Sequence, residues 1–284
     1  MGFLKTVFAI TAQNFRKWQT DYRIWMIAVL MTVITLIYVD DVKKLADYLS
    51  ADVPVWIFPF MYSQFYIKVM YTLPIILMFC DAPFVDKNQV FTMMRTTRTK
   101  WICGQILYII FASGIYFLFL LLISLLLTVF YGGFSFEWGT ALTAEAFSTV
   151  SIKIDLQYFQ VSRLVVENFT PLLAVFYTFL LSFLGAVFLG SVIMMLNLLT
   201  NSRVWGMAVS SALVVLSIAA AKVPRLMPFS PISWTTLNNI DVGRLTRNPS
   251  IVYVLTAYAI LIILPIAAIL ILGRKKSLDT KGDQ

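Results

Sequence analysis

The chain has 284 residues, 60% of them hydrophobic and 13% charged, with a mean hydropathy of +0.84 and a formal charge of +8. A soluble domain is about 45–50% apolar and about 25% charged, so a water-soluble globular fold is excluded and an all-α, polytopic membrane protein is expected. No histidine is present, which removes histidine-ligated zinc, Ser-His and Cys-His nucleophile pairs, and histidine proton relays.

Residues 1–20 read as an amphipathic helix. Phe3, Leu4, Val7, Phe8, Ile10, Phe15 and Trp18 fall on one arc, and Lys5, Gln13, Arg16, Lys17 and Gln19 on the other. Such a helix lies in the membrane interface with its basic face toward anionic headgroups. Packing on a soluble partner is the other reading. Phe8, Phe15 and Trp18 are the expected anchors, bordering an opening through which an amphipathic cargo of the inner leaflet would pass. Lys5, Arg16, Lys17 and Arg23 are spread through this region without a small-residue cleavage site, so a removable signal is not expected.

The first span is read at 24–39, ending at Asp40-Asp41, with a short surface helix after it. The aromatic stretch holding Trp56, Phe58, Phe60, Tyr62 and Tyr66 suits a headgroup belt. Span two is 64–80, with Pro74 inside and Lys68 near its outer end. There the ammonium is read as snorkelling to the interface, with a buried functional charge as the other reading. Span three, 101–130, exceeds the roughly 20 residues that one crossing needs, so it must tilt or protrude. Residues 131–169 read as an external loop with some local order.

Thr170-Pro171 opens span four, 171–200, as a cap residue followed by proline at the first helical position. Asn201-Ser202-Arg203 turns the chain into span five, 204–221. A second external loop, 222–248, is broken by Pro224, Pro228 and Pro231. Span six is 251–273, followed by Arg274-Lys275-Lys276.

Charge orients these six spans. With both termini inside, four Lys/Arg fall in the N-terminal segment, four in loop 81–100, one at Arg203 and four in the tail. That leaves nine outside out of 22, while the acidic residues divide as five inside and nine outside out of 14. The positive-inside rule therefore places both termini in the cytoplasm of a multi-pass cell-membrane protein.

Chemistry is sparse. Cys80 and Cys103 have neither disulfide-framework nor metal-ligand spacing. No span holds a pair of carboxylates, and there is no G-x-x-x-x-G-K-[ST] loop for nucleotide. No catalytic residue, cofactor, metal or nucleic-acid site is expected, and Lys68 alone could serve ion coupling from within a span. If the protein pumps, its energy comes from another polypeptide. Attention then moves to the loop after span two. Val90, Met94, Thr97 and Trp101 follow i, i+4, i+7, i+11 spacing, with Lys87, Phe91, Arg95 and Arg98 to one side. A short helix at 85–99 would offer Asp86, Lys87, Phe91, Met94, Arg95 and Arg98 to a partner. A solvated basic loop that only sets topology is the alternative.

The interfacial helix, six spans and basic loop helix resemble the permeases of type 2 ABC exporters. Val90-Phe91-Thr92-Met93-Met94-Arg95-Thr96-Thr97-Arg98, then Trp101 and Gly104-Gln105, is similar to their recurring loop, with Gln89-Val90 where Gly-Thr is usual and Gln105 where Lys is common. Phe229-Ser230-Pro231-Ile232-Ser233-Trp234 is similar to the short external helices before their last span. Loop 131–169 is longer than in that pattern. The resemblance implies a permease paired with an identical or related permease, each docked to one cytoplasmic ATP-binding subunit through the loop helix. It implies export of amphipathic or hydrophobic cargo such as peptides, lipids or drugs. A passive channel, or an accessory or assembly protein without an ATPase, is the alternative. Ser182, Ala186 and Gly190, with Gly206 and Ser210, offer small-residue faces for helix contacts inside the chain or at a dimer seam.

Overall fold

The computed structural model describes residues 2–84, 96–148, 154, 156–242 and 248–275. Nine α-helices are described: α1 (Phe3–Arg16), α2 (Tyr22–Leu49), α3 (Phe65–Phe79), α4 (Arg98–Thr128), α5 (Gly139–Ser148), α6 (Arg163–Asn168), α7 (Pro171–Thr200), α8 (Arg203–Lys222) and α9 (Ile251–Lys275). No β-strand occurs among the described residues. Five helices, α2, α4, α7, α8 and α9, are long and apolar enough to cross a membrane, and α3 is a shorter apolar helix.

Helix α7 is the axis. It packs against α3, α4, α8 and α9, and most of its apolar window is inside the protein, whereas α8 and α9 turn most of theirs outward. The outward side chains are large and apolar, among them Trp25 and Val29 on α2, Leu122 on α4 and Ile263 on α9. That is the distribution expected where lipid replaces water.

The bundle has two unlike ends. At one, called the near end, α1, the first turns of α2, α4 and α8, and the last turns of α3, α7 and α9 come together. Arg23 and Arg203 both reach Asp81 there, and Gly273 lies against Ile102. At the far end the chain caps itself. Val53, Val55, Ile57, Phe58, Phe60 and Met61 are fully buried, and 3-10 turns at Pro224–Phe229, Pro231–Thr235 and Leu237–Asn239 close over α7, α8 and α9. The Tyr258 hydroxyl donates to the Pro231 carbonyl at 2.6 Å, and Trp234 stands edge-on to the Tyr258 ring.

Several readings from sequence change. Helix α2, read from sequence as a span at 24–39, does not stop at Asp40-Asp41 but runs unbroken to Leu49, about 42 Å at 1.5 Å per residue, so it is longer than a hydrocarbon layer of about 30 Å is thick. The two carboxylates do not end it because both pair with Lys44 one turn on. Asp41 is also buried, and accepts the backbone N–H of Tyr158 at 2.7 Å and of Phe159 at 3.3 Å, tying the 131–169 region to α2. That region carries α5 and α6. Lys68 does not snorkel: it is 2% exposed, inside the protein. The small-residue faces are buried within the chain. A Cβ on Gly190 would come within 2.6 Å of Ile109 and 2.9 Å of Phe79, and Gly206 sits against Asn197 and the Ile193 carbonyl. Intramolecular packing accounts for both.

Helix α1 also has a seat within the chain. Thr6, Val7, Ile10, Thr11 and Asn14 are its buried face, pressed on the first turns of α4, while Phe3, Leu4 and Phe8 stay exposed. The apolar arc seen in the sequence is thus divided between the protein interior and the exposed surface. Gly104 makes the approach possible, since a Cβ there would lie 2.7 Å from Ile10 Cγ2. The Thr11 hydroxyl reaches the Gly104 carbonyl at 3.0 Å, and Asn14 donates to Gln105 Oε1 at 2.6 Å. Gly104→Leu should therefore lever α1 off α4, at an overpacking cost of about 1–3 kcal/mol. A lowered thermal midpoint in detergent, with faster proteolysis near residue 10, is the expected result. Unchanged values would show that α1 does not depend on this seat.

Candidate functional site

The strongest concentration of polar contacts between helices lies at the root of the near-end loop that follows α3. The last turn of α3 delivers Cys80, Asp81 and Ala82 to the ends of other helices, and the Ala82-Pro83 peptide is cis. Asp81 takes Arg23, from the start of α2, on one carboxylate oxygen and Arg203, from the start of α8, on the other, the latter at 2.9 Å. From the last turns of α7, Asn197 Nδ2 donates to the Cys80 carbonyl at 3.0 Å and to the Ala82 carbonyl at 2.7 Å. Lys17, just after α1, donates to the Phe84 carbonyl at 3.4 Å. Elements from both halves of the chain hold four of the five residues 80–84.

Local sequence explains how each group arrives there. Asp21 caps α2 by accepting the Arg23 amide, which sets Arg23 in the first turn. Asn201 adopts the left-handed conformation (φ 53°) that ends α7, one of the few residue types that does so at little cost. Ser202 then caps α8 by accepting the Val204 amide, so the turn is tight and Arg203 returns to the same end. The contacts differ in weight. Both ion pairs are a third or more exposed on each side, and such pairs contribute about 0–1 kcal/mol. The Asn197 bonds are buried, and a buried group left without its partner costs about 1–3 kcal/mol.

Beside the root is a hollow of ≈ 180 Å³ bounded by α1, α2, α3, α4 and α8. Trp18 and Tyr108 form its aromatic wall. The Trp18 indole N–H donates to the Tyr108 hydroxyl at 2.8 Å, and Phe15 and Phe84 each meet the Tyr108 ring edge-on. Of the anchors read from sequence, Phe8 is exposed, with its ring 6.3 Å from that of Phe111, whereas Phe15 and Trp18 are partly buried against α4.

Asp86, Lys87, Phe91, Met94 and Arg95 lie outside the described residues. Arg98 is described: it belongs to the first turn of α4, not to a separate loop helix reaching residue 99, because Thr97 takes the extended conformation of a helix N-cap and α4 starts after it. Sequence reasoning missed Arg23, Asp81, Asn197 and Arg203 as a set. The available signal was that Asp81 and the two arginines are isolated charges at span ends of the same side. Asn197 gave none. Among the described residues no group of three or more His, Cys, Asp or Glu could hold a metal ion.

Comparison with known proteins finds no family model, no curated protein and no solved structure that matches this chain.

The root makes a checkable demand. Asn197→Ala leaves two buried carbonyls without donors and should lower stability by about 1–3 kcal/mol. Amide exchange should also rise around residues 80–84 more than elsewhere. Arg203→Gln, which removes only one exposed pair, should change stability by less than about 1 kcal/mol. Equal losses for the two variants would contradict this ranking.

Proposed function

We propose that the chain is the membrane subunit, or permease, of an ATP-driven ABC exporter for an amphipathic or hydrophobic cargo. In this reading α3 is a sixth span, entering behind the buried turn at Phe58–Tyr62 and leaving at Asp81. The basic near end, with both termini, faces the cytoplasm of a cell membrane. A separate ATP-binding subunit docks on the loop between α3 and α4, and the permease works as one of a pair.

The observation that carries the reading is the root of that loop. A segment that only connects two spans has no need of contacts to the turn after α1 and to α2, α7 and α8 within four residues. A loop that receives force from a partner does, because displacement at its tip is then delivered to helices in both halves of the bundle. The apolar spans support the cargo class. Apart from Lys68 and the amides of Gln105 and Asn197 towards the near end, the described interior of the apolar helices presents hydroxyls, aromatic rings and aliphatic side chains, a surface past which an uncharged or amphipathic molecule moves without stripping water from ions.

Co-purification tests the proposal. The affinity-tagged chain, solubilised from its own cells, should bring down a soluble protein that is labelled by azido-ATP. Phe91→Ala with Arg95→Glu should reduce that recovery, since losing an interface anchor costs about 2 kcal/mol or more, roughly 30-fold in affinity. Thermal stability of the permease should be unchanged by the pair of substitutions. Recovery of no nucleotide-labelled protein would favour a channel or assembly factor. Full recovery with the double variant would place the docking surface elsewhere.

A further inference from the structure

At the far end, three large apolar side chains stand outside the protein although a buried aromatic collar lies beside them. Phe130, Phe134 and Phe136, just past the end of α4, are 75%, 73% and 76% exposed. Their neighbours in sequence are fixed. Gly132 lies so close to the Val53 carbonyl that a Cβ would overlap it, and the Trp56 indole N–H donates to the Ser135 carbonyl. Trp138 is buried, with its ring 5.1 Å from that of Phe60. The loop is therefore braced on either side of its phenylalanines, which turn outward. At about 200 Å² for one phenylalanine surface, three so exposed present roughly 450 Å². Apolar surface on that scale marks an interaction site.

We propose that residues 130–136 insert into the headgroup layer on the far side of the bilayer, as a lipid-binding loop. One argument is continuity with the outward side of α4. Leu118, Leu122 and Leu126 are exposed at four-residue spacing, the spacing of one helix face, and Phe130 continues their row past the helix end. The surface that α4 turns to lipid thus runs into the loop without a polar break.

Depth is the other argument. On α2 the exposed side chains change character at Asp40: Leu36 and Ile37 before it are apolar, whereas Asp40, Lys43, Lys44 and Asp47 are charged. Lys43 holds its ammonium over the Tyr131 ring, 5.5 Å from the centroid, so the loop begins at the depth of Lys43. Three residues of helix separate Lys43 from Asp40, about 4.5 Å of rise. The polar layer on each face of a bilayer is about 5–8 Å deep. Lys43 and Tyr131 therefore stand within that layer, where phenylalanine side chains of surface segments dip toward the acyl chains. The start of what reads in sequence as an external loop is thereby membrane-bound, and it holds the capped far end against the leaflet. The inference needs α2 and α4 to cross a bilayer and is independent of the exporter reading.

Spin labels on the full chain in dioleoyl-phosphatidylcholine nanodiscs test it. Phe134→Cys and Phe136→Cys, each in a Cys80→Ala, Cys103→Ala background, carry the nitroxide. Leu122→Cys is the reference for hydrocarbon and Asp47→Cys, exposed on α2 beyond Lys44, the reference for water. At 134 and 136 the ratio of oxygen collisions to collisions with a water-soluble nickel chelate should stand well above that at 47, toward that at 122. A ratio equal to that at 47 would place the loop in water and overturn the proposal. Dipolar broadening at 134 that disappears on dilution with unlabelled chain would assign the surface to a second copy and overturn it equally. Should the cysteine-free background melt below wild type, hydroxyl-radical oxidation of the wild-type chain in the same nanodiscs gives the reading instead. Corrected for intrinsic reactivity, Phe134 and Phe136 should be protected relative to Tyr48, which is exposed on α2. Oxidation of all three alike would overturn the insertion.

Discussion

Close approach to α7 is the constraint on which the rest of the molecule depends. Between helices in lipid there is no water to expel, so association rests on packing and internal hydrogen bonds. Gly190 lets Ile109 of α4 and Phe79 of α3 meet the α7 backbone, and Gly185 does the same for Thr235 and Tyr258 at the far end. Gly206 returns the favour from α8, lying against Asn197 and the Ile193 carbonyl. With these contacts in place, α7 ends where Asn197 meets the carbonyls of Cys80 and Ala82. The site at the near end is a consequence of the packing at mid-depth.

Polar groups within the bundle obey the same solvent. A lipid interior offers no partner to an unpaired donor, and many hydroxyls turn back onto their own helix. Ser113 donates to the Ile109 carbonyl, Ser191 to Val187, Thr72 to Lys68 and Thr128 to Ser124. Cross-helix polar contacts are fewer and placed where the helices must register: Thr35 with Tyr71, and Tyr116 donating to the Tyr71 carbonyl. These join α2, α3 and α4 midway along the helices, away from the near end.

The two ends divide the work of the fold. Buried aromatic side chains, together with the carboxylate of Asp41 on two backbone amides, close the far end. Charged and half-exposed side chains, around a small hollow, hold the near end together. Rigid closure at one end and weak, replaceable contacts at the other are what a bundle needs if partners act on it from one side. The ion pairs on Asp81 are weak enough to exchange, whereas the buried bonds from Asn197 keep the loop's root in place while they do.

The sequence by itself determined the apolar, helical character that suits a membrane and where most of the long apolar helices begin and end. Those follow from local composition: long uncharged runs, Thr170-Pro171 opening α7, Asn201-Ser202 turning it into α8. It also pointed to the end of the molecule where polar contacts gather, because Lys/Arg counts along a chain of apolar spans already sort the loops onto two sides. Tertiary structure decided the rest. Whether Asp40-Asp41 ended a helix depended on pairing with Lys44 and on amides 117 and 118 residues away. Which face of α1 met protein depended on a gap at Gly104, invisible in a hydrophobic arc that lipid and protein share. The meeting of Arg23, Asp81, Asn197 and Arg203 leaves no periodic trace, since no two of the four share a helix. Apolar periodicity reports how much of a helix avoids water; in a membrane, lipid and protein avoid it equally, so only the packed structure tells one from the other.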